Sequence, residues 1–150
     1  MKAKSIYHIV LIGVLVFLNS AEVKADVSIA NIFSDHMVLQ RNIKVKVWGY
    51  GDVGENLSLK FNGQTLKTKV DDNGKWQVTL KKMKAGGPHN MIIKADNEII
   101  LKDILIGDVW LCSGQSNMAW KVKNAKNAET EIAKADYPNI RLFTVARQMN

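Results

Sequence analysis

The residues best suited to covalent chemistry lie in one short polar turn. Residues 113–117 read SGQSN; they follow an apolar run and precede a segment with helical spacing. A serine exposed in such a turn can act as a nucleophile when a base accepts its proton. Backbone N–H groups at the start of the next helix could then stabilise an oxyanion. The turn is compatible with acyl transfer by a serine, although serines are also common in βα turns that have no catalytic role.

Other chemistries find less support in the sequence. The turn lacks the GxxxxGK[ST] pattern of phosphate-binding loops. A single cysteine, Cys112, excludes an intramolecular disulfide framework and a cysteine-based zinc site. No constellation of metal-ligating residues appears in the sequence, and we expect neither a metal nor a cofactor. Cys112 itself is predicted to be a small buried core residue. Of the three histidines, His8 falls in the N-terminal leader, and we interpret His36 and His89 as structural.

Composition and charge are those of an ordinary globular protein. The 150 residues are 47% hydrophobic and 23% charged, and the net charge is +7. Part of that charge lies in the leader, and other lysines alternate along strand-like segments, as Lys44, Lys46, Lys67 and Lys69 do. This spacing predicts a solvated sheet face rather than a nucleic-acid surface, so we expect no nucleic-acid partner.

Residues 1–25 have the pattern of a secretory signal peptide. A basic start, MKAK, precedes an apolar run over residues 9–18, and Val23-Lys24-Ala25 offers a cleavage site after Ala25. Ala21 is a second possible cleavage position, and an uncleaved anchor is the alternative. The apolar run is shorter than the roughly 20 residues of a membrane-spanning helix. We therefore predict a secreted or periplasmic protein with no stable membrane insertion after cleavage.

Residues 26–106 predict an antiparallel β-sandwich. Apolar and polar residues alternate in several short segments, and Leu57, Leu59 and Phe61 illustrate the period of two. Asn62-Gly63 is the dipeptide that a type I′ hairpin turn favours. Residues 86–88 (GGP) are predicted to be a turn before a strand over residues 91–95. About seven such strands separated by turn residues are typical of a sandwich.

Residues 107–150 follow a different pattern. Residues 108–112 predict a buried strand, with Asp108 as a turn or capping residue. After the polar turn, Asn127 is placed to cap a helix, and residues 140–145 predict another strand. Strand, helix and strand would form the first βαβ unit of an α/β domain. Because two strands do not make a stable sheet, we expect this domain to be incomplete in the chain.

Three segments together resemble the sialate O-acetylesterase family of SGNH-type hydrolases. Residues 107–118 (GDVWLCSGQSNM) are similar to the family's nucleophile block. Residues 32–41 (IFSDHMVLQR) resemble the start of its N-terminal β-domain, and residues 136–143 (DYPNIRLF) resemble the segment after its first helix. The resemblance implies a mainly β chain in which a sandwich precedes an α/β SGNH-type hydrolase domain. Residues 119–121 (AWK) depart from the family pattern, which often has an acidic residue, an aromatic residue and proline there.

The resemblance also implies roles for individual residues. Ser116 would be the nucleophile and its N–H one oxyanion donor, while Gly114, Gln115 and Asn117 would support the loop. The family's histidine and acid form a D-x-x-H block that has no counterpart here, so we expect the chain to be inactive alone. The substrate would be O-acetylated sialic acid or another acetylated glycan. The alternative is an exported β-sandwich that binds carbohydrate without catalysis.

The four tryptophans bear on both hypotheses. Trp48 and Trp76 are predicted to pack in the core, and a sugar-stacking face is the alternative. Trp110 and Trp120 flank the polar turn, and we expect them to pack around it, with lining of an acyl pocket as the alternative.

Overall fold

Residues 26–107 form eight β-strands whose side chains alternate between the interior and solvent. The computed structural model describes residues 26–145, so the predicted signal peptide lies outside the described residues. The strands are β1 (Ser28–Ile29), β2 (Val38–Gln40), β3 (Val45–Tyr50), β4 (Asn56–Phe61), β5 (Gln64–Lys69), β6 (Lys75–Leu80), β7 (Gly86–Lys94) and β8 (Glu98–Gly107). Two short 3-10 helices, Ser116–Ala119 and Val122–Asn124, and one α-helix, α1 (Ala128–Lys134), follow them.

The strands form two sheets that enclose one hydrophobic core. One sheet has the order β1-β3-β6, and the other has the order β2-β8-β7-β4-β5. Val47 and Trp76 from the first sheet and Leu59 and Ile93 from the second belong to the same buried cluster. The mainly β fold is therefore confirmed. The pairing is antiparallel except between β2 and β8, which run parallel.

Local chemistry explains the hairpin between β4 and β5. Asn62 and Gly63 have φ values of 43° and 73°, the left-handed backbone that a two-residue type I′ turn requires. Glycine adopts this conformation at little steric cost, and asparagine tolerates it. The turn sets the register, so Leu57 and Leu59 face the core while Lys67 and Lys69 on β5 face solvent.

The pairing of β7 with β8 is irregular at two places. Residues 86–88 were expected in a turn, but they begin β7, and the register shifts between Gly86 and His89. A bulge tolerates proline inside a strand because the local ladder is already interrupted. A second shift places His89 opposite Ile104 and Met91 opposite Leu101, which inserts one extra residue into β8. Asp103 lies in this bulge.

The chain after Gly107 does not form the predicted βαβ unit in the described residues. Residues 108–112 and 140–145 have no strand pairing, whereas α1 forms close to its predicted position. Apolar side chains such as Leu111 and Leu142 are exposed, because no neighbouring strand in residues 26–145 offers them a partner. No helix in residues 26–145 has both the length and the apolar character needed to cross a membrane.

Candidate functional site

Ser116 is the first residue of the 3-10 helix that follows the end of β8. The Met118 amide donates to the Gln115 carbonyl oxygen at 2.9 Å, which closes this turn. Ser116 is exposed, as are the residues on either side of it. The structure therefore presents the serine at the surface of a tight polar turn, and its catalytic role stays a prediction.

The residues around Ser116 shape the turn rather than cover the serine. Gly114 has a φ of 155°, and a Cβ atom added there would lie 2.9 Å from Met118 Cγ. Gln115 has an extended backbone and makes no side-chain capping bond to the helix. Asn117 supplies the carbonyl oxygen that accepts the Trp120 amide at 3.2 Å.

Three predictions about burial near the turn are wrong. Cys112 was expected in the core but is exposed, and Trp110 and Trp120 do not pack around the serine because both are largely exposed. Trp110 and Cys112 are exposed because residues 108–112, which were expected in a strand covered on both faces, pair with no strand in the described chain. Trp120 follows the 3-10 helix and is exposed together with the residues around it. The other two tryptophans differ from each other. Trp76 is buried, whereas Trp48 is half-exposed and contacts Phe33 edge-on.

Neither histidine of the described chain hydrogen-bonds to Ser116. His36 Nδ1 donates to the carboxylate of Asp103, and His89 packs edge-on against Phe61. Among residues 26–145, no group of three or more histidine, cysteine or acidic side chains is arranged to hold a metal ion. Within this range, the structure does not pair the serine with a base.

Two arginines connect the segment after β8 with the β-sandwich. At the start of the segment, Arg41 Nε donates to Asp108 Oδ1 at 2.8 Å, and the Val109 amide donates to Gln40 Oε1 at 2.7 Å. This hydrogen bond to Arg41 lowers the pKa of the Asp108 carboxyl below its ordinary value. We call these contacts the first anchor. They replace the turn or capping role expected for Asp108.

The second anchor joins Arg141 to His36 and Asp103. Arg141 Nη1 donates to the backbone oxygens of His36 and Asp103 at 3.1 and 3.0 Å, and Nη2 donates to Asp103 Oδ1 at 3.1 Å. A hydrogen bond from Arg141 is the main cause that lowers the pKa of the Asp103 carboxyl, and the hydrogen bond from His36 is the second. The guanidinium thus binds a carboxylate and two carbonyl oxygens at once, which suits its fork of donors.

The anchor residues were missed as functional candidates by analysis of the sequence. Arg41 and Asp108 are 67 positions apart, and Arg141 and Asp103 are 38 positions apart. Ion pairs at such separations leave no periodic pattern in the sequence. One signal was available, because the anchors join the three segments that carry the family resemblance. Residues 32–41 contribute His36 and Arg41, while Asp108 and Arg141 belong to the other two segments.

Similarity to known proteins extends over most of the chain. The chain is 34% identical to sialate O-acetylesterase of Rattus norvegicus over 152 residues, which is 90% of this chain and 28% of that protein. Sialate O-acetylesterase of Homo sapiens is 35% identical over 130 residues, covering 78% of this chain and 25% of the human protein. No protein-family model matches the chain.

A solved structure supports the same relationship. The crystal structure of a carbohydrate acetylesterase from Xanthomonas citri superposes with a TM-score of 0.71 at 33% identity, covering 75% of this chain and 26% of that one. By fold and sequence, the chain is thus related to the carbohydrate acetylesterases. More particularly, it belongs to the sialate O-acetylesterase-like family. It spans about a quarter of the length of these relatives.

Proposed function

We propose that the protein is an exported carbohydrate O-acetylesterase with Ser116 as its nucleophile. The observation that carries this proposal is the 34% identity to a sialate O-acetylesterase over 90% of the chain. The exposed position of Ser116 in a tight turn supports it, because an acyl substrate must reach the serine oxygen. The substrate is O-acetylated sialic acid or another acetylated glycan.

The proposed reaction is acyl transfer in two steps. Ser116 Oγ attacks the acetyl carbonyl while a histidine base takes its proton, and the sugar hydroxyl leaves with a proton returned from that base. Water then attacks the acetyl-enzyme, which releases acetate and restores the serine. The Ser116 N–H is one donor to the oxyanion. No cofactor or metal takes part in this scheme.

The 150-residue chain alone is proposed to be inactive. His36 is engaged with Asp103, and His89 lies against Phe61, so neither is bonded to Ser116 as a base would be. The histidine and its acidic partner would come from a D-x-x-H segment elsewhere in a longer gene product. Turnover of acetyl esters by purified residues 26–150 would contradict this part of the proposal.

The test is acetate release by the full-length gene product beside its Ser116→Ala variant. Acetylated sialic acid and acetyl-xylan are the two substrates, and Ser113→Ala is the matched control because it removes a hydroxyl three residues away. We expect Ser116→Ala to lower kcat by about 10⁴-fold or more while Ser113→Ala retains most activity. Equal activity of wild type and Ser116→Ala would reject the serine as nucleophile.

One observation favours carbohydrate binding by the sandwich as a second candidate function. Trp48 and Tyr50 are 38% and 48% exposed on the outer face of β3, and Lys46 lies beside them on the same face. Exposed aromatic rings can stack on sugar rings. This function predicts glycan binding that Trp48→Ala weakens and that Ser116→Ala leaves unchanged, measured by calorimetry.

A further inference from the structure

Arg141 is unusual within its part of the chain. In residues 108–145 every residue is exposed except Ala128 and Arg141, which are partly buried. The Arg141 side chain is only 20% exposed although it carries a full charge. A guanidinium is covered to this extent when other groups replace the water around it, and here the replacement is the second anchor.

The backbone of the sandwich is shaped to receive this guanidinium. His36 and Asp103 have φ values of 62° and 55°, the left-handed conformation that few residues other than glycine adopt. His36 lies in the turn before β2 and Asp103 lies in β8, yet their carbonyl oxygens converge on the same Arg141 nitrogen. Asp103 lies in the bulge of β8, and bulges commonly redirect a residue toward a functional contact.

Both anchors lie along the edge strand β2 and its neighbour β8. His36 precedes β2 and Arg41 follows it, while Asp103 lies in β8 and Asp108 just beyond its end. The segment 109–140, which carries Ser116, therefore leaves the sandwich and returns to it along one edge. No buried hydrophobic residue of the described chain lies in this segment, so these polar contacts are the ones that hold it there.

We propose that Arg141 is a positioning residue that, together with Arg41, fixes the Ser116 segment against the β2–β8 edge. The catalytic consequence rests on the proposed esterase function, whereas the anchoring itself does not. Lysine in place of Arg141 would keep the charge but could not donate to a carboxylate and two carbonyl oxygens with the same fixed fork. Arg141→Lys should therefore loosen the segment nearly as much as Arg141→Ala.

The chain offers a probe for the anchoring. Cys112 is its single cysteine, is exposed, and lies four residues before Ser116, so a nitroxide spin label attached there reports the mobility of the segment. We would compare the wild type with Arg141→Lys, Arg141→Ala and Arg41→Ala. Lys123→Ala is the matched control, since it removes an exposed charge of the same segment.

We expect the label to become more mobile in the three arginine variants and to stay unchanged in Lys123→Ala. Unchanged mobility in Arg141→Lys and Arg141→Ala would overturn the anchoring. Far-UV circular dichroism of each variant checks that the sandwich is intact. An arginine variant with a disrupted sandwich would also overturn the proposal, because the residue would then be structural.

A kinetic measurement on the full-length gene product tests positioning separately. We expect Arg141→Lys to lower kcat about 10- to 100-fold with KM changed less than about twofold, because misplacing a reacting group by 1 Å can have this effect. Increased label mobility with unchanged kcat would overturn the positioning role. An inactive wild type with mobile arginine variants would reject the proposed function and leave the anchoring standing.

Discussion

Similar apolar side chains are buried in the sandwich and exposed in the segment that follows it. All sixteen buried hydrophobic residues of the described chain lie between Val27 and Ile106, and none lies in residues 107–145. Leu80 is 0% exposed and Leu111 is 92% exposed, although both belong to runs with strand-like composition. Neighbouring strands, rather than residue type, thus decide burial. The sandwich is held by its core and the segment by ionic anchors.

The largest expected effect comes from substituting a matched pair of leucines. Leu80→Ala should lower the free energy of unfolding by about 2–5 kcal/mol, because it leaves a cavity in a packed core. Leu111→Ala should change it by less than about 0.5 kcal/mol, since the side chain is in water. Urea denaturation followed by circular dichroism measures both. Similar losses in the two variants would show that residues 108–112 are packed, and the contrast between the regions would fail.

As the pH falls, the segment after β8 should become mobile at a higher pH than the one at which the sandwich unfolds. The arginines lower the pKa of Asp103 and of Asp108 in the folded chain, so both anchors contribute at pH values above about 4, the ordinary aspartate pKa. Their contribution is lost as the pH falls through the lowered pKa values. A spin label on Cys112 should keep constant mobility from pH 7 to about pH 4 and gain mobility at lower pH.

The control for this titration is a double variant, Arg41→Ala with Arg141→Ala. Its label should already be mobile at pH 7 and should change little in acid. A wild-type label whose mobility rises near pH 6 would assign the transition to a group other than these two aspartates.

The smallest expected effect concerns the start of α1. Asn127 was predicted to cap this helix, but its side chain makes no capping bond and its φ is 61°. Asn127→Gly should preserve the helix, because glycine adopts this conformation readily, whereas Asn127→Ala should destabilise it by about 1–2 kcal/mol. Cα chemical shifts of residues 128–134 measure the helix. If the two variants lost the helical Cα chemical shifts to the same extent, side-chain capping would matter more than the backbone conformation.

Regular alternation made much of the sandwich predictable from sequence. Leu57, Leu59 and Phe61 face the core as their spacing predicts, because a strand shows its alternate residues to opposite faces. The Asn62-Gly63 turn was predictable because its backbone conformation is a local property. The parallel pairing of β2 with β8 was not, since it joins residues nearly 70 positions apart.

The candidate site was less predictable for a related reason. Ser116 could be singled out because its turn is a short local pattern with a family resemblance. The exposure of Cys112 could not, because an apolar run is buried only when other strands cover it. The contacts of Arg141 depend on the backbone conformation of two distant residues, and no pattern within one segment encodes them.

The parallel register of β2 links the hydrophobic core to the ionic contacts. Leu39 lies opposite Ile106 and is 6% exposed, and the next two residues, Gln40 and Arg41, hold Val109 and Asp108. A slip of β2 by one residue would turn Leu39 outward, because successive side chains face opposite sides of a sheet. It would also draw Arg41 away from Asp108. The burial of a single leucine therefore fixes the register of β2, and through that register it sets where the serine-bearing segment begins.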